Sequence, residues 1–287
     1  MVLPALVILV WFRYVPIYGL QIVFKRLNLL RGIMASPWAS PPTMYLREVF
    51  TSPRFYISLR NTLIINLYLL IFQFPVPIIF ALMINECRNV AYKRLVQTVS
   101  YLPHFLSWVI VYGLFSNLLS YDTGIVNRII LFLGGKQRLF FSDPSLFRGV
   151  LVSASIWQSA GWGTIVILAA ITAVDPQLQE AAYIDGADKL RRIWHVTLPC
   201  IRPTLVVLLI MRLGQIMSDN VEMVLQFYNP MVYDVGDVMG TYIYRIGLGS
   251  MRLSFAAAAG FFTSIVNCIL LFTTDRVAKK MGERGLW

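Results

Sequence analysis

Long apolar runs separated by short polar islands set the pattern of this chain. Six runs approach or exceed the roughly 20 residues that cross a bilayer core, at about 2–24, 61–84, 95–119, 148–171, 203–222 and 254–274. The first carries Arg13 in its middle, within FRYVPIYG. It is longer than a signal-peptide core and lacks both a basic start and a small-residue cleavage site, so it reads as retained. Because no charge precedes Arg13, we expect a short basic tail ahead of residue 1 of this numbering.

The islands are unequal. Residues 25–60 are rich in Pro, Ser and Arg, with an amphipathic piece expected near Tyr45–Phe50 at the membrane interface. NECRNVAYKR (85–94) is a short basic turn, residues 120–147 hold turn signals such as Gly134-Gly135 and Asp143-Pro144, and 223–253 contains Asn229-Pro230 and several glycines. The tail reads DRVAKKMGERGLW, and no internal repeat, low-complexity tract or soluble domain interrupts the pattern.

Composition agrees. Hydrophobic residues are 57% and charged residues 14% of the chain, against about 25% charged in soluble domains. The expectation is an all-α polytopic membrane protein of six transmembrane helices, one membrane domain over 1–287. Charge does not orient it. If the 175–202 island and the tail share one side, that side carries eleven Lys/Arg and the other twelve, counting Arg148 at a span edge. The positive-inside rule needs a bias, and here there is none.

The island at 175–202 has its own chemistry. Asp175-Pro176 is a helix start, since Asp can accept a backbone N–H and Pro suits the first helical position. Nothing breaks a helix from Pro176 to about Ile184. Gly186 supplies a residue able to take positive φ, ending this helix and turning into a second over about Asp188–His195. Pro199 and Pro203 are expected to stop that one and launch the next span. Ala181 and Ala182 would let a partner groove approach the backbone, and Glu180 offers a charge. An interfacial connector whose alanines reflect helix propensity alone is the competing reading.

Catalytic signatures are missing. The nearest approach to a phosphate loop, Gly135-Lys136, is followed by Gln137 and has Ile130 where the first Gly belongs. His104 and His195 are the only histidines, too few for a zinc centre, and read as local hydrogen-bonding residues. No Gly-x-Ser-x-Gly elbow occurs. Cys87 and Cys200 fall on the island side and Cys268 inside the last span, so no disulfide is expected.

The island carries Glu180-Ala181-Ala182, then Gly186 after three residues, then Val196, Leu198 and Pro199. That pattern resembles the signature loop of binding-protein-dependent ABC importer permeases, with Val where Ile is commoner. Blocks FRYVPIYG (12–19), PHFLSW (103–108), WQSAGWG (157–163), YNPMVYDVGDVMGTYIYRIGL (228–248) and the closing GLW resemble the maltose-transporter type, in its polysaccharide and oligosaccharide branch. The resemblance implies a multi-pass subunit of the bacterial cytoplasmic (inner) membrane that works by alternating access. It pairs with a second, homologous permease. Two cytoplasmic ATPases bind the ATP and Mg and dock on the signature loops; an extracytoplasmic solute-binding protein delivers the carbohydrate. No nucleic acid, cofactor or catalytic residue is implied in this chain. The loop at 175–199 is then cytoplasmic, with Glu180, Ala181, Ala182, Asp185, Gly186, Leu198 and Pro199 as coupling residues.

Polar and aromatic residues within the spans mark a candidate substrate path. They are Gln73, Trp157, Gln158, Trp162, Arg212, Gln215, Asp219, Asn220 and Glu222; helix packing and membrane-interface anchoring are the alternatives. With the loop cytoplasmic, the external side holds twelve Lys/Arg against seven Asp/Glu. Such a face favours an anionic sugar of the alginate or pectin type, over neutral sugars or other small solutes. Arginines that snorkel to lipid would leave the cargo neutral. A membrane-embedded glycan enzyme would need clustered carboxylates, and Asp234 and Asp237 are the only close external pair.

Overall fold

A computed structural model of the chain describes residues 2–217, 220–280 and 282. Among these there is no strand, and one isolated antiparallel bridge joins Lys25 to Trp38. The main helices in chain order are α1 (Leu3–Phe24), α2 (Met44–Thr51), α3 (Pro53–Asn85), α4 (Val90–Phe105), α5 (Trp108–Leu119) and α6 (Ile125–Phe132). They continue with α7 (Pro144–Thr172), α8 (Pro176–Ile184), α9 (Lys189–Leu213), α10 (Val221–Phe227), α11 (Met239–Tyr244) and α12 (Leu253–Lys280). Five of these, α1, α3, α7, α9 and α12, are long and apolar enough to cross a membrane, and the bent pair α4–α5 passes the same test when its two helices are taken together.

Helix α7 sits at the centre, with 44% of its apolar window buried against 6% for α1. Asp143 caps its start by accepting from the Ser145 N–H at 2.8 Å, with Pro144 at the first position. It packs on the later half of α3 and on α4. These contacts are close because the helices meet at glycines. A Cβ on Gly161 would lie 2.0 Å from the Ser100 carbonyl oxygen, and one on Gly163 would lie 2.9 Å from Pro77. In lipid no hydrophobic force drives helices together, so small residues at the contact and internal hydrogen bonds take that role. Helix α3 follows the same logic. Its inward face carries Ser58, Asn61, Thr62 and Asn66, while Leu63, Leu67 and Ile71 face outward.

Three apolar clusters result. One joins Ile65, Leu151, Phe147, Met223 and Phe227. A second joins Val23 of α1, Val49 of α2, Phe55, Tyr242 and Phe255. The third joins Ala81, Ile84, Ile167, Ile171 and Ile201. The expected amphipathic piece is α2, and its buried Val49 belongs to the second cluster.

Span boundaries differ from the sequence reading in four places. The run at 95–119 is two helices meeting at 105°. Pro103 lies in the short 3-10 turn Leu102–Phe105, and Leu106 and Ser107 are extended. Hydropathy has no signal for a backbone break inside an apolar run. The second span starts at Pro53 rather than 61, and the last runs to Lys280. The fifth begins at Lys189 and ends at Leu213, not at 203 and 222. Pro199 and Pro203 neither stop nor start a helix. The stretch Ile193–Thr197 is π-helical, and the helix continues through Leu198–Leu213 with Pro203 inside it. A widened turn tolerates the donor that proline lacks. The segment Leu69–Gln73 does the same ahead of Pro75.

Gly161→Val is expected to prevent the α4–α7 contact and abolish the monodisperse, folded protein in detergent, because backbone rather than a mobile side chain blocks the added Cβ. Gly113→Ala, where nothing lies within 4 Å of the new Cβ, should leave the thermal midpoint within about 2 °C. Equal behaviour of the two variants in a thermal-shift assay would refute the close-contact account.

Candidate functional site

Two regions gather the residues picked out by sequence. The first is the polar island. Asp175 accepts from the Gln177 N–H at 2.9 Å to start α8, and Gly186 turns the chain at φ +79°. Asp188 accepts from the Arg191 N–H at 2.8 Å to start α9. The helix–turn–helix expected at 175–195 is present, but its second helix is the beginning of the fifth span. Gln179 donates to the buried Thr197 hydroxyl at 3.0 Å and ties α8 to α9.

Glu180, Ala181, Asp185, Gly186 and Pro199 are exposed, whereas Ala182 and Leu198 are half-buried. Residues that sequence reasoning did not single out dominate this surface. Tyr183, Ile184, Leu190 and Trp194 are 70–83% exposed. The Arg192 guanidinium lies over the Tyr183 ring at 5.5 Å, and Gln179, Glu180, Tyr183, Ile184 and Arg192 line a hollow of about 330 Å³. The available signal was the presence of large apolar residues inside an otherwise polar island. His195 Nδ1 bonds the Arg191 carbonyl at 3.0 Å, the local role expected for it.

The second region is a cleft of about 320 Å³ between α3, α7 and α9. Gln73, Trp162 and Arg212 line it together, joined by Ser159, Pro77 and Leu208. Gln73 Nε2 donates to the Ser159 hydroxyl and lies 3.4 Å from the Ser155 carbonyl. Trp162 stacks flat on His104, ring centroids 4.5 Å apart. The walls are mostly apolar with a few convergent polar groups, the general character of a small-molecule site. Gln73 ends the π-helical stretch of α3, a distortion that recurs at functional sites.

The other path candidates lie elsewhere. Trp157 packs edge-on against Phe115, and Gln158 points its amide toward the His104 carbonyl at 3.4 Å. Gln215 is exposed in the turn after α9. Asn220 takes φ +72° and donates to Asn66 Oδ1 at 3.1 Å. Glu222 is exposed in the first turn of α10. Asp219 lies outside the described residues. Consecutive positions such as 157 and 158 face about 100° apart on a helix, so spacing alone could not assign them to one wall. Among the described residues no group of three or more His, Cys, Asp or Glu could hold a metal ion.

A bundle of apolar spans with a projecting helical loop and an intramembrane cleft defines a membrane transport subunit. Residues 73–283 match the family described as "Binding-protein-dependent transport system inner membrane component", and the chain belongs to that family. As such it is an inner-membrane permease subunit and not an enzyme. It is 42% identical to the polygalacturonan/rhamnogalacturonan transport system permease protein YteP of Bacillus subtilis (strain 168), over 100% of this chain and 89% of that one. It also superposes on a crystal structure of a bacterial ABC transporter involved in the import of the acidic polysaccharide alginate. The TM-score there is 0.90 and the identity 39%, covering 98% of this chain and 94% of that one. A second structure, of the bacterial alginate ABC transporter in complex with an alginate pentasaccharide-bound periplasmic protein, matches at TM-score 0.90 and 38% identity, covering 100% of this chain and 95% of that one.

Asp188→Ala removes the cap that starts α9, a loss of about 1 kcal/mol. Amide exchange over residues 189–195 should accelerate roughly fivefold. Asp185→Ala, an exposed neighbour, should change it less than twofold.

Proposed function

We propose that this chain is one of two homologous permease subunits of an ATP-driven importer that takes up acidic oligo- or polysaccharide by alternating access. The whole of 1–287 acts as the transmembrane domain, and 175–199 is its cytoplasmic coupling loop. Two separate ATPase subunits bind ATP and Mg and dock on this loop and its counterpart, and an extracytoplasmic solute-binding protein delivers the sugar.

The observation that carries the coupling role is the exposed apolar patch of α8 and the start of α9, around Tyr183, Ile184, Leu190 and Trp194. In a loop outside the membrane such a patch calls for a protein partner. Force applied there has a direct route inward. Helix α9 runs without interruption from Lys189 to Leu213, roughly 36 Å at 1.5 Å per residue, and carries Arg212 into the cleft wall. The Gln179–Thr197 bond makes α8 and α9 move together. Closure of the ATPases would then tilt α9 and reshape the cleft between α3 and α7.

Cargo class rests on two supports. Proteins similar to this chain over its full length are named for polygalacturonan, rhamnogalacturonan and alginate transport. The external side is also basic, with twelve Lys/Arg against seven Asp/Glu, which concentrates anions at the entrance. The cleft offers Trp162 for a sugar ring and Gln73 and Arg212 for its polar groups.

In the reconstituted complex, uronic-acid oligosaccharides should stimulate ATP hydrolysis and neutral ones of equal length should not. Stimulation by neutral sugars alone would overturn the acidic cargo. Ile184→Asp, at a position 83% exposed, should lower ATPase co-purification about tenfold. Unchanged capture would show that the patch is not the docking surface.

A further inference from the structure

On the face proposed as external, three arginines pair with carboxylates, whereas two near them have no carboxylate partner among the described residues. Arg54 meets Asp234 at 3.1 Å, Arg245 grips the buried Asp237 at 2.6 Å, and Arg252 bonds Glu48. Arg60 and Arg148 are different. Both aim Nη2 at the same neutral oxygen, Asn61 Oδ1, at 3.2 and 3.0 Å. Their remaining bonds also end on neutral groups, Arg60 on the Asp234 carbonyl at 2.6 Å and Arg148 Nε on the Val235 carbonyl at 3.0 Å. Two guanidiniums thus share one amide oxygen, with no carboxylate among the described residues bonded to either. Arg148 is half-buried and Arg60 exposed beside it; like charges held together raise each other's energy, and an anion placed beside them relieves it. Carbonyl acceptors fix the geometry of such a pair without neutralising it, so the pair is positioned and still cationic.

Arg148 opens onto a groove of about 550 Å³ between α3 and α7. One wall is aromatic, Tyr68 and Phe72, with ring centroids 6.2 Å apart. The other is the small-residue face of α7, Ser145, Gly149 and Ser153. Nothing lies within 4 Å of where a Cβ on Gly149 would be, so the floor is open. The two hydroxyls donate to Asp143 Oδ1 and the Val150 carbonyl, which leaves their oxygens able to accept from a ligand hydroxyl. Ser145, Arg148, Gly149 and Ser153 follow helical spacing, and the same face continues to Ser159 and Trp162 in the inner cleft, about 21 Å further along the axis.

We propose that this groove is an outer subsite for an acidic sugar residue. Arg148, positioned by Asn61 and supported by Arg60, receives the carboxylate. Tyr68 and Phe72 receive the ring face, and Ser145 and Ser153 the hydroxyls. The inference rests on the acidic-saccharide reading above and names where that acidity is recognised. The site lies on the two helices that also wall the inner cleft, so a chain of several sugars would engage the outer groove first and the cleft next. Planar, bidentate donation suits a carboxylate, and open hydroxyl and aromatic walls suit a sugar better than an aliphatic carboxylate side chain.

The test uses the complete transporter, with its second permease, ATPases and solute-binding protein, in proteoliposomes. Uptake of a galacturonic-acid oligosaccharide is compared with that of its full methyl ester. Arg148→Gln should lower the acid-over-ester preference at least tenfold, mainly through KM; Arg148→Lys, which keeps the charge and loses the bidentate fork, should fall between Gln and wild type, and Phe72→Ala should raise KM for both sugars. A preference unchanged within twofold in Arg148→Gln overturns the subsite. Loss of the second permease from the purified Arg148→Gln complex, with Arg148→Lys intact, would assign the arginine to a subunit contact instead. A variant effect that disappears when anionic lipid is replaced by zwitterionic phosphatidylcholine would assign it to an anionic lipid headgroup. A wild-type complex that takes up the ester as well as the acid would defeat the cargo reading itself, before any variant is compared.

Discussion

The approach of α7 to its neighbours is the contact on which the other parts of this molecule depend. At Gly161 the helix lies so near the Ser100 carbonyl that no side chain fits between them, and at Gly163 it lies against Pro77. In a hydrocarbon solvent, apolar side chains gain little by leaving lipid for protein, so close packing of backbone and internal hydrogen bonds must hold the spans together. Of the elements that flank the inner cleft, α3 and α7 meet closely at Gly163, while Gly161 brings α4 against α7. The Gly163–Pro77 contact is itself part of the cleft wall, beside Gln73 on α3 and Ser159 and Trp162 on α7.

Around that contact the backbone departs from regular helix at Leu69–Gln73 in α3 and Ile193–Thr197 in α9. Each widened turn precedes a proline, Pro75 or Pro199, and lets the helix continue where the missing donor would otherwise end it. For α9 the result is continuity: the second helix of the loop and the span are one helix from Lys189 to Leu213, so exposed Leu190 and cleft-lining Arg212 lie on the same element. Between α4 and α5 the outcome is opposite. Two extended residues, Leu106 and Ser107, break the run by 105°.

The end of the bundle at the start of α3 is organised by buried polar groups. Asn61 holds the Tyr233–Asp237 segment through its amide, donating to the carbonyls of Asp234 and Asp237 at 3.1 and 3.2 Å. Asp237, almost fully buried, accepts from Ser58, Thr241 and Arg245. Burial normally penalises such a carboxylate, and an adjacent guanidinium with hydroxyl donors offsets that cost. Outside the membrane spans, the Arg245 guanidinium feels burial lowering its pKa and the Asp237 carboxylate raising it, with the net shift upward. Residues 223–253, read from sequence as a loop with Asn229-Pro230 and several glycines, therefore hold short helices pinned to α3 and α7.

Much of the fold was legible in the amino-acid sequence because lipid imposes a simple demand: about 20 apolar residues per crossing. That rule located the five long spans and the apolar run that forms the bent pair, and cap and turn chemistry located Asp175 and Gly186 at the right turns of the loop. It could not locate the break at Leu106, the true start of α9 at Lys189 or the exposed patch at Tyr183, Ile184 and Trp194. Hydropathy averages over a window, and a π turn or an extended pair changes no residue's polarity. The path candidates divided for a similar reason. Gln73, Trp162 and Arg212 converge from three helices far apart in the chain, while Trp157 and Gln158, their sequence neighbours, turn away. Which residues share a wall depends on how helices rotate and approach one another, and that is decided by contacts such as Gly161 on Ser100, which only the tertiary structure contains.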